Sequence, residues 1–199
     1  MSRLESVLQQ AARDLDDLRC RWALVGALAV SARAEPRFTR DIDLAVAVSG
    51  DADAERLVRS LQERRYRVHA IVEQEATGRL ATARFVPAGE DEGGIVVDAL
   101  FASSGVEAEV VAAADLVEIL PGFRAPVATT GHLMALKVLA RDDRTRPQDR
   151  VDLVALTASA NPEDIVQARA AIALIAQRGY HRGKDLAAEL DEFLRPRRA

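Results

Sequence analysis

Cysteine is nearly absent from this 199-residue chain. The single thiol, Cys20, closes no internal disulfide and supplies no cysteine cage for zinc, so neither cross-links nor a structural metal of that kind holds the fold. Aromatic residues make up only 4% of the chain, and lysine occurs twice, at Lys137 and Lys184, against 25 arginines. No apolar run approaches the roughly eighteen residues that a membrane span needs. The opening stretch MSRLESVLQQAARDLDDL is charged throughout, unlike the apolar centre of a secretory leader. A formal charge of -4 gives no global basic footprint, although clustered arginines can still meet a polyanion locally. There is neither an internal repeat nor a low-complexity tract. These absences exclude a disulfide-stapled secreted module, a membrane protein and a uniformly basic nucleic-acid coat. What remains is a globular, cytoplasmic protein.

What is present suffices for an ordinary core, since 49% of the residues are hydrophobic. Leu4, Val7, Leu8, Ala11, Leu15 and Leu18 recur at three- and four-residue steps and predict a helix over residues 2–19, with Ser2 and Glu5 forming a capping box. Residues 22–25 predict a buried strand that meets a turn at Gly26, followed by a short helix over 27–33. Further strands are predicted at 41–48, 67–72, 80–86 and 95–101, with a short one at 117–120, a helix at 53–65 and a turn at 90–94. After Pro126 the pattern turns helical, over 130–140, 147–158, 162–177 and 184–194. Pro147 and Pro162 sit in first turns, where proline is tolerated. The expected fold is therefore α/β (α+β): a mixed-sheet core with an N-terminal helix over residues 1–126, then a helical part over 127–199.

The stretch EPRFTRDIDLAV carries the first chemistry. Alternation along a strand points Asp41 and Asp43 to one face. Two carboxylates so placed repel, and one of them takes up a proton more readily unless a cation intervenes. Mg²⁺, which favours a few carboxylates, waters and phosphate oxygens, is the natural compensator. The plainer alternative is a solvated strand end, with Asp41 paired to Arg40 and Asp43 capping a turn. Asp98 lies within GIVVDALF, where a charge is costly to bury without a partner. Either it converges with Asp41 and Asp43 into a two-metal arrangement, or it pairs with an arginine. Gly26, between strand and helix, lets a phosphate approach backbone N–H groups.

Lys137 stands on a mostly apolar helical face, so its charge must snorkel outward or reach a cleft. A compact ammonium over a phosphate suits the second case. Asp149 and Asp152, three apart on a helix, share adjacent surface. The run Arg141, Arg144, Arg146 and Arg150 reads either as a solvated face or as a groove that steers a polyanion. Arg33, Arg37 and Arg40 flank the first motif and are candidates for the same work. His69, His132 and His181 lack metal-ligand spacing.

GALAV at 26–30, PRFTRDIDL at 36–44 and VVDAL at 96–100 together resemble the DNA polymerase β-type nucleotidyltransferase superfamily. Within it the likeness is greatest to AbiEii-type nucleotidyltransferases, many of them toxins of toxin–antitoxin systems. LKVLARDDRTRPQDRVDLVAL at 136–156 is similar to that family's lysine helix and aspartate-bearing helix. The resemblance implies a polymerase β-like core with a C-terminal helical bundle. It implies transfer of a nucleoside monophosphate from an NTP, such as ATP, to an acceptor hydroxyl on RNA (tRNA among them) or protein, with an antitoxin as a further partner. It implies Mg²⁺ held by Asp41, Asp43 and Asp98, and a triphosphate near Gly26, Ala27, Arg40 and Lys137. Asp149 or Asp152 would hold or activate the acceptor side, and Asp98 is the first candidate to polarise the acceptor hydroxyl, with Asp149 or Asp152 as the rival. One departure is Gly26-Ala27, where the family has Gly-Gly or Gly-Ser, so a hydroxyl for a phosphate oxygen is missing. Two other functions fit the same motifs: a small-molecule, antibiotic-type nucleotidyltransferase, and an inactive nucleotide-binding module.

Overall fold

Ser2 opens the first helix as its spacing predicts. In the computed structural model, which describes residues 2–91 and 93–195, α1 spans Arg3–Asp17. The Ser2 hydroxyl accepts from the Glu5 N–H at 3.2 Å, and the Glu5 carboxylate accepts from the Ser2 N–H at 2.7 Å. These two bonds satisfy N–H groups that a helix start leaves open.

Among the described residues, seven strands form one mixed sheet. They are β1 (Arg21–Val25), β2 (Asp41–Ala47), β3 (Arg67–Glu73), β4 (Leu80–Val86), β5 (Val96–Leu100), β6 (Asp115–Leu120) and β7 (Phe123–Val127), in the spatial order β3-β4-β5-β2-β1-β7-β6. β2 runs parallel to β5 and β1 parallel to β7, while the other neighbours are antiparallel. The helices are α2 (Gly26–Arg33), α3 (Asp51–Glu63), α4 (Glu107–Ala112), α5 (Thr130–Ala140), α6 (Pro147–Ser159), α7 (Pro162–Gln177) and α8 (Leu186–Leu194).

Two of these elements have no counterpart in the sequence reading. β7 contains Pro126, which reads as a break, yet β7 pairs along its length with β6 and touches β1 only at its end. A proline is tolerated where the ladder does not ask for its N–H. α4 is only six residues long, too short for a helical period to register.

One hydrophobic cluster runs from Val7 on α1 through the sheet to Leu190 on α8, with Leu24, Phe85, Met134, Leu153 and Ile175 buried in it. Each such side chain contributes about 2 kcal/mol by burial. α5 is buried on nearly every side, from Gly131 to Leu139. A helix enclosed in this way belongs to a core, and it carries Lys137 there with it. Arg33 ties the end of α2 to the last strand, donating to the carbonyls of Ala128 and Val127, each at 3.0 Å, and to Asp115 at 2.8 Å.

Candidate active site

Strand register builds the site. β1 and β2 are antiparallel with Val25 opposite Asp43, β2 and β5 are parallel with Asp43 opposite Asp98, and β4 and β5 are antiparallel with Arg84 opposite Asp98. Val25, Asp43, Asp98 and Arg84 therefore form one row across four neighbouring strands. On β2 the buried residues Ile42, Leu44 and Val46 alternate with Asp41 and Asp43, so both carboxylates share the other face. The expectation that Asp98 lies beside them on the same sheet holds.

Gly26 follows Val25 and begins α2 against this row. Its φ is +64°, a left-handed conformation natural to glycine. A Cβ at this position would fall onto the Asp43 carboxylate, so the close approach of helix start to carboxylate needs the missing side chain. Among the described residues no side chain caps the α2 N-terminus, and its N–H groups make it a place where an anion is favoured. Ala27 is buried next to it.

Among the described residues, neither the Asp41 nor the Asp43 carboxylate has an ion-pair or hydrogen-bond partner. Burial pushes the Asp43 carboxyl up to about 6, and the Asp98 and Asp41 charges push in the same direction against the pull of Lys137 and Arg146. A carboxylate raised by other carboxylates is a place short of a cation. The all-oxygen donor set at Asp41 and Asp43, with the space beside Gly26, fits a hard divalent ion.

Asp98 behaves differently. It is only 7% exposed, and both of its oxygens accept from Arg84, from Nε at 2.8 Å and from Nη2 at 2.6 Å. Convergence with Asp43 and pairing to an arginine, which the sequence offers as alternatives, occur together.

A second cluster faces the row from the helices. The Lys137 ammonium, on α5, donates to Asp149 at 2.8 Å and lies 2.7 Å from Asp152, both on α6. All three are nearly sealed from solvent. Asp152 also accepts a fork from Arg37, at 2.8 and 3.0 Å, and Arg146 Nε lies 3.0 Å from Asp149 Oδ2. Three cations against two carboxylates leave this cluster one net positive charge. Arg37 belongs to the segment between α2 and β2, so its fork to Asp152 fastens the approach to Asp41 onto the helical part.

A cavity of about 450 Å³ lies between the row and the cluster. Gly26, Ala27, Asp41, Asp43, Asp98, Lys137 and Asp149 all line it, whereas Asp152 and Arg40 do not. Asp152 is buried beneath Lys137, and the Arg40 guanidinium sits 5.8 Å over the exposed ring of Phe38 rather than pairing with Asp41. Of the arginine run, only Arg146 reaches the cavity. Arg141 pairs with Asp143 and Glu192, and Arg141 and Arg150 flank the Phe193 ring. Arg84, Arg182, Ser103 and Ser104 also line the cavity and escape the sequence reading. Arg84 had a faint signal, because it alternates on β4 with buried Ala83 and Phe85 and so had to face away from that core.

Residues 8–199 match the protein family described as nucleotidyl transferase AbiEii toxin, type IV toxin–antitoxin system. No curated protein matches the chain. Among solved structures, a nucleotidyltransferase-like antigenic protein from Paracoccidioides brasiliensis is similar, with 18% identity over 94% of this chain and 92% of that one and a TM-score of 0.53. The antibiotic-resistance factor ANT(2'')-Ia is similar with 17% identity over 88% of this chain and 95% of its own, at a TM-score of 0.56. At these identities the structural likeness is one of fold.

Proposed function

The chain belongs to the AbiEii family of nucleotidyl transferases, and we propose that it moves a nucleoside monophosphate from an NTP to a hydroxyl of RNA, tRNA included, with release of pyrophosphate. The observation that carries this reading is the row of Asp43 and Asp98 against the start of α2, with the Lys137 cluster across one cavity. Phosphoryl transfer asks a protein mainly for positioning and for charge placed where oxygens gain it.

Mg²⁺ would be held by Asp41 and Asp43, with Asp98 beside them, and when bound it neutralises triphosphate oxygens and acts as a Lewis acid. The N–H groups at Gly26 and Ala27 would receive a phosphate oxygen, so that the missing hydroxyl at Ala27 costs one hydrogen bond rather than the site. Lys137, held by two aspartates, contributes a fixed positive charge to the opposite wall. Asp149, rather than Asp98 as the sequence suggests, is the candidate to take the proton of the acceptor hydroxyl, because both Asp98 oxygens are held by Arg84. Asp149 lines the cavity, and its buried Oδ2 makes no aligned hydrogen bond. Asp152, 1% exposed and bonded to Lys137 and Arg37, fits a positioning role.

The wall charges favour a polyanionic acceptor over a cationic small molecule. Arg37, Arg84, Lys137, Arg146 and Arg182 stand against Asp41, Asp43, Asp98 and Asp149, so the cavity is not the strongly acidic cleft a cationic antibiotic would want. As the family is one of type IV toxins, the natural setting of the activity is a toxin opposed by an antitoxin.

The test is incubation with each NTP, labelled at the α- or the γ-phosphate, with Mg²⁺, total RNA and a protein fraction. α-Label should enter RNA while γ-label leaves as pyrophosphate. α-Label in protein would overturn the acceptor, and label in neither would favour an inactive nucleotide-binding module.

A further inference from the structure

Arg84 enters the reading above only as one of five wall cations and as the partner of Asp98, yet it makes the tightest contact in the carboxylate row. Because Arg84 and Asp98 are opposite one another on antiparallel strands, the sheet itself sets their approach. Both Asp98 oxygens are occupied by the guanidinium fork, at 2.8 and 2.6 Å. A bidentate charge-assisted pair of this kind is among the stronger polar contacts a protein makes, and a guanidinium does not give up its proton. The Asp98 side chain is 10% exposed and that of Arg84 41%, so the carboxylate is covered while the guanidinium keeps a face to the cavity. Two of its five N–H donors are used on Asp98, which leaves three to meet an incoming oxygen.

A second divalent ion at Asp98 would have to displace this fork and leave a guanidinium beside two doubly charged ions. Among the described residues, no three carboxylate or histidine side chains are gathered as a ready cage for an ion. Among the described residues, by contrast, no cation is paired with Asp41 or Asp43, which feel Lys137 and Arg146 only at a distance.

We propose that Arg84 serves as the second cation of the site, so that one divalent ion binds at Asp41 and Asp43 and a built-in guanidinium neutralises Asp98 and faces the triphosphate. The inference rests on the nucleotidyl-transfer reading and deepens it. Arg84 is a phosphate-facing residue that also fixes how many ions the site accepts.

The experiment counts Mn²⁺ bound per chain, by electron paramagnetic resonance and equilibrium dialysis, at saturating non-hydrolysable NTP. The wild-type protein should bind one ion, Arg84→Lys one, and Arg84→Met two, because Asp98 is then released. A count of two in the wild type would overturn the proposal and leave the transfer reading standing. A count of one in folded Arg84→Met would also overturn it. A count of zero in the wild type would overturn both. The wild-type count needs no variant, so the proposal remains falsifiable if Arg84→Met fails to fold.

Discussion

At the scale of single residues, Asp43 is the most informative. Its carboxyl is raised from 3.8 to about 6, first by burial and then by Asp98. A folded-state value above the unfolded one means that the group's stabilisation is complete below about pH 4 and is lost as pH rises through about 6. Metal-free protein should therefore be more stable at pH 5.5 than at pH 7.5, by at most about 0.8 kcal/mol. Urea unfolding in EDTA checks this, and Asp43→Asn should flatten that slope and raise stability at pH 7.5. A wild-type protein equally stable at both values would mean that Asp43 is not crowded by like charge. Gly26→Ala follows from the same contact. A left-handed backbone alone costs about 1 kcal/mol, and the added methyl must also push Asp43 aside. Mg²⁺-dependent NTP binding should fall at least tenfold in that variant, as read by titration.

At the scale of elements, α5 and α6 are locked by one lysine between two aspartates. Lys137→Met leaves Asp149 and Asp152 facing each other in the core, which should cost about 3–5 kcal/mol in a thermal or urea melt. Lys137→Met with Asp149→Asn should recover much of the loss, because Asp152 keeps its fork from Arg37. A harmless single variant would mean that the cluster is not the lock. The chain's other lysine, Lys184, serves the same helix in a different way. It donates to the carbonyls of Leu139 at 3.1 Å and Arg141, at the end of α5, and so caps that helix. Helical and strand periods made most elements legible: β4, α5 and α7 lie where the sequence puts them, and α1 begins at its capping box. The pair Asp41 and Asp43 was legible for the same reason, since alternation is local. The Arg84–Asp98 fork was not, because it depends on which strands become neighbours, and spacing along the chain carries no record of that. Arg37 was visible as a candidate, but its partner lies 115 positions away.

At the scale of the whole molecule, local and global charge oppose each other. The chain carries a formal charge of -4, yet the cavity wall holds more cations than carboxylates. RNA binding should therefore depend on a few groups. With about three phosphates neutralised, the slope of log affinity against log salt should be near -2. A slope steeper than about -5 by fluorescence anisotropy would point to a broader basic surface. The central claim is that one cavity binds the metal–triphosphate between the Asp41–Asp43 pair and Lys137. Calorimetric titration of a non-hydrolysable NTP, with and without Mg²⁺, into wild-type and Asp43→Asn protein tests it most directly. Binding should be Mg²⁺-dependent in the wild type and fall tenfold or more in a folded Asp43→Asn variant. Equal Mg²⁺-dependent binding by the two proteins would contradict it.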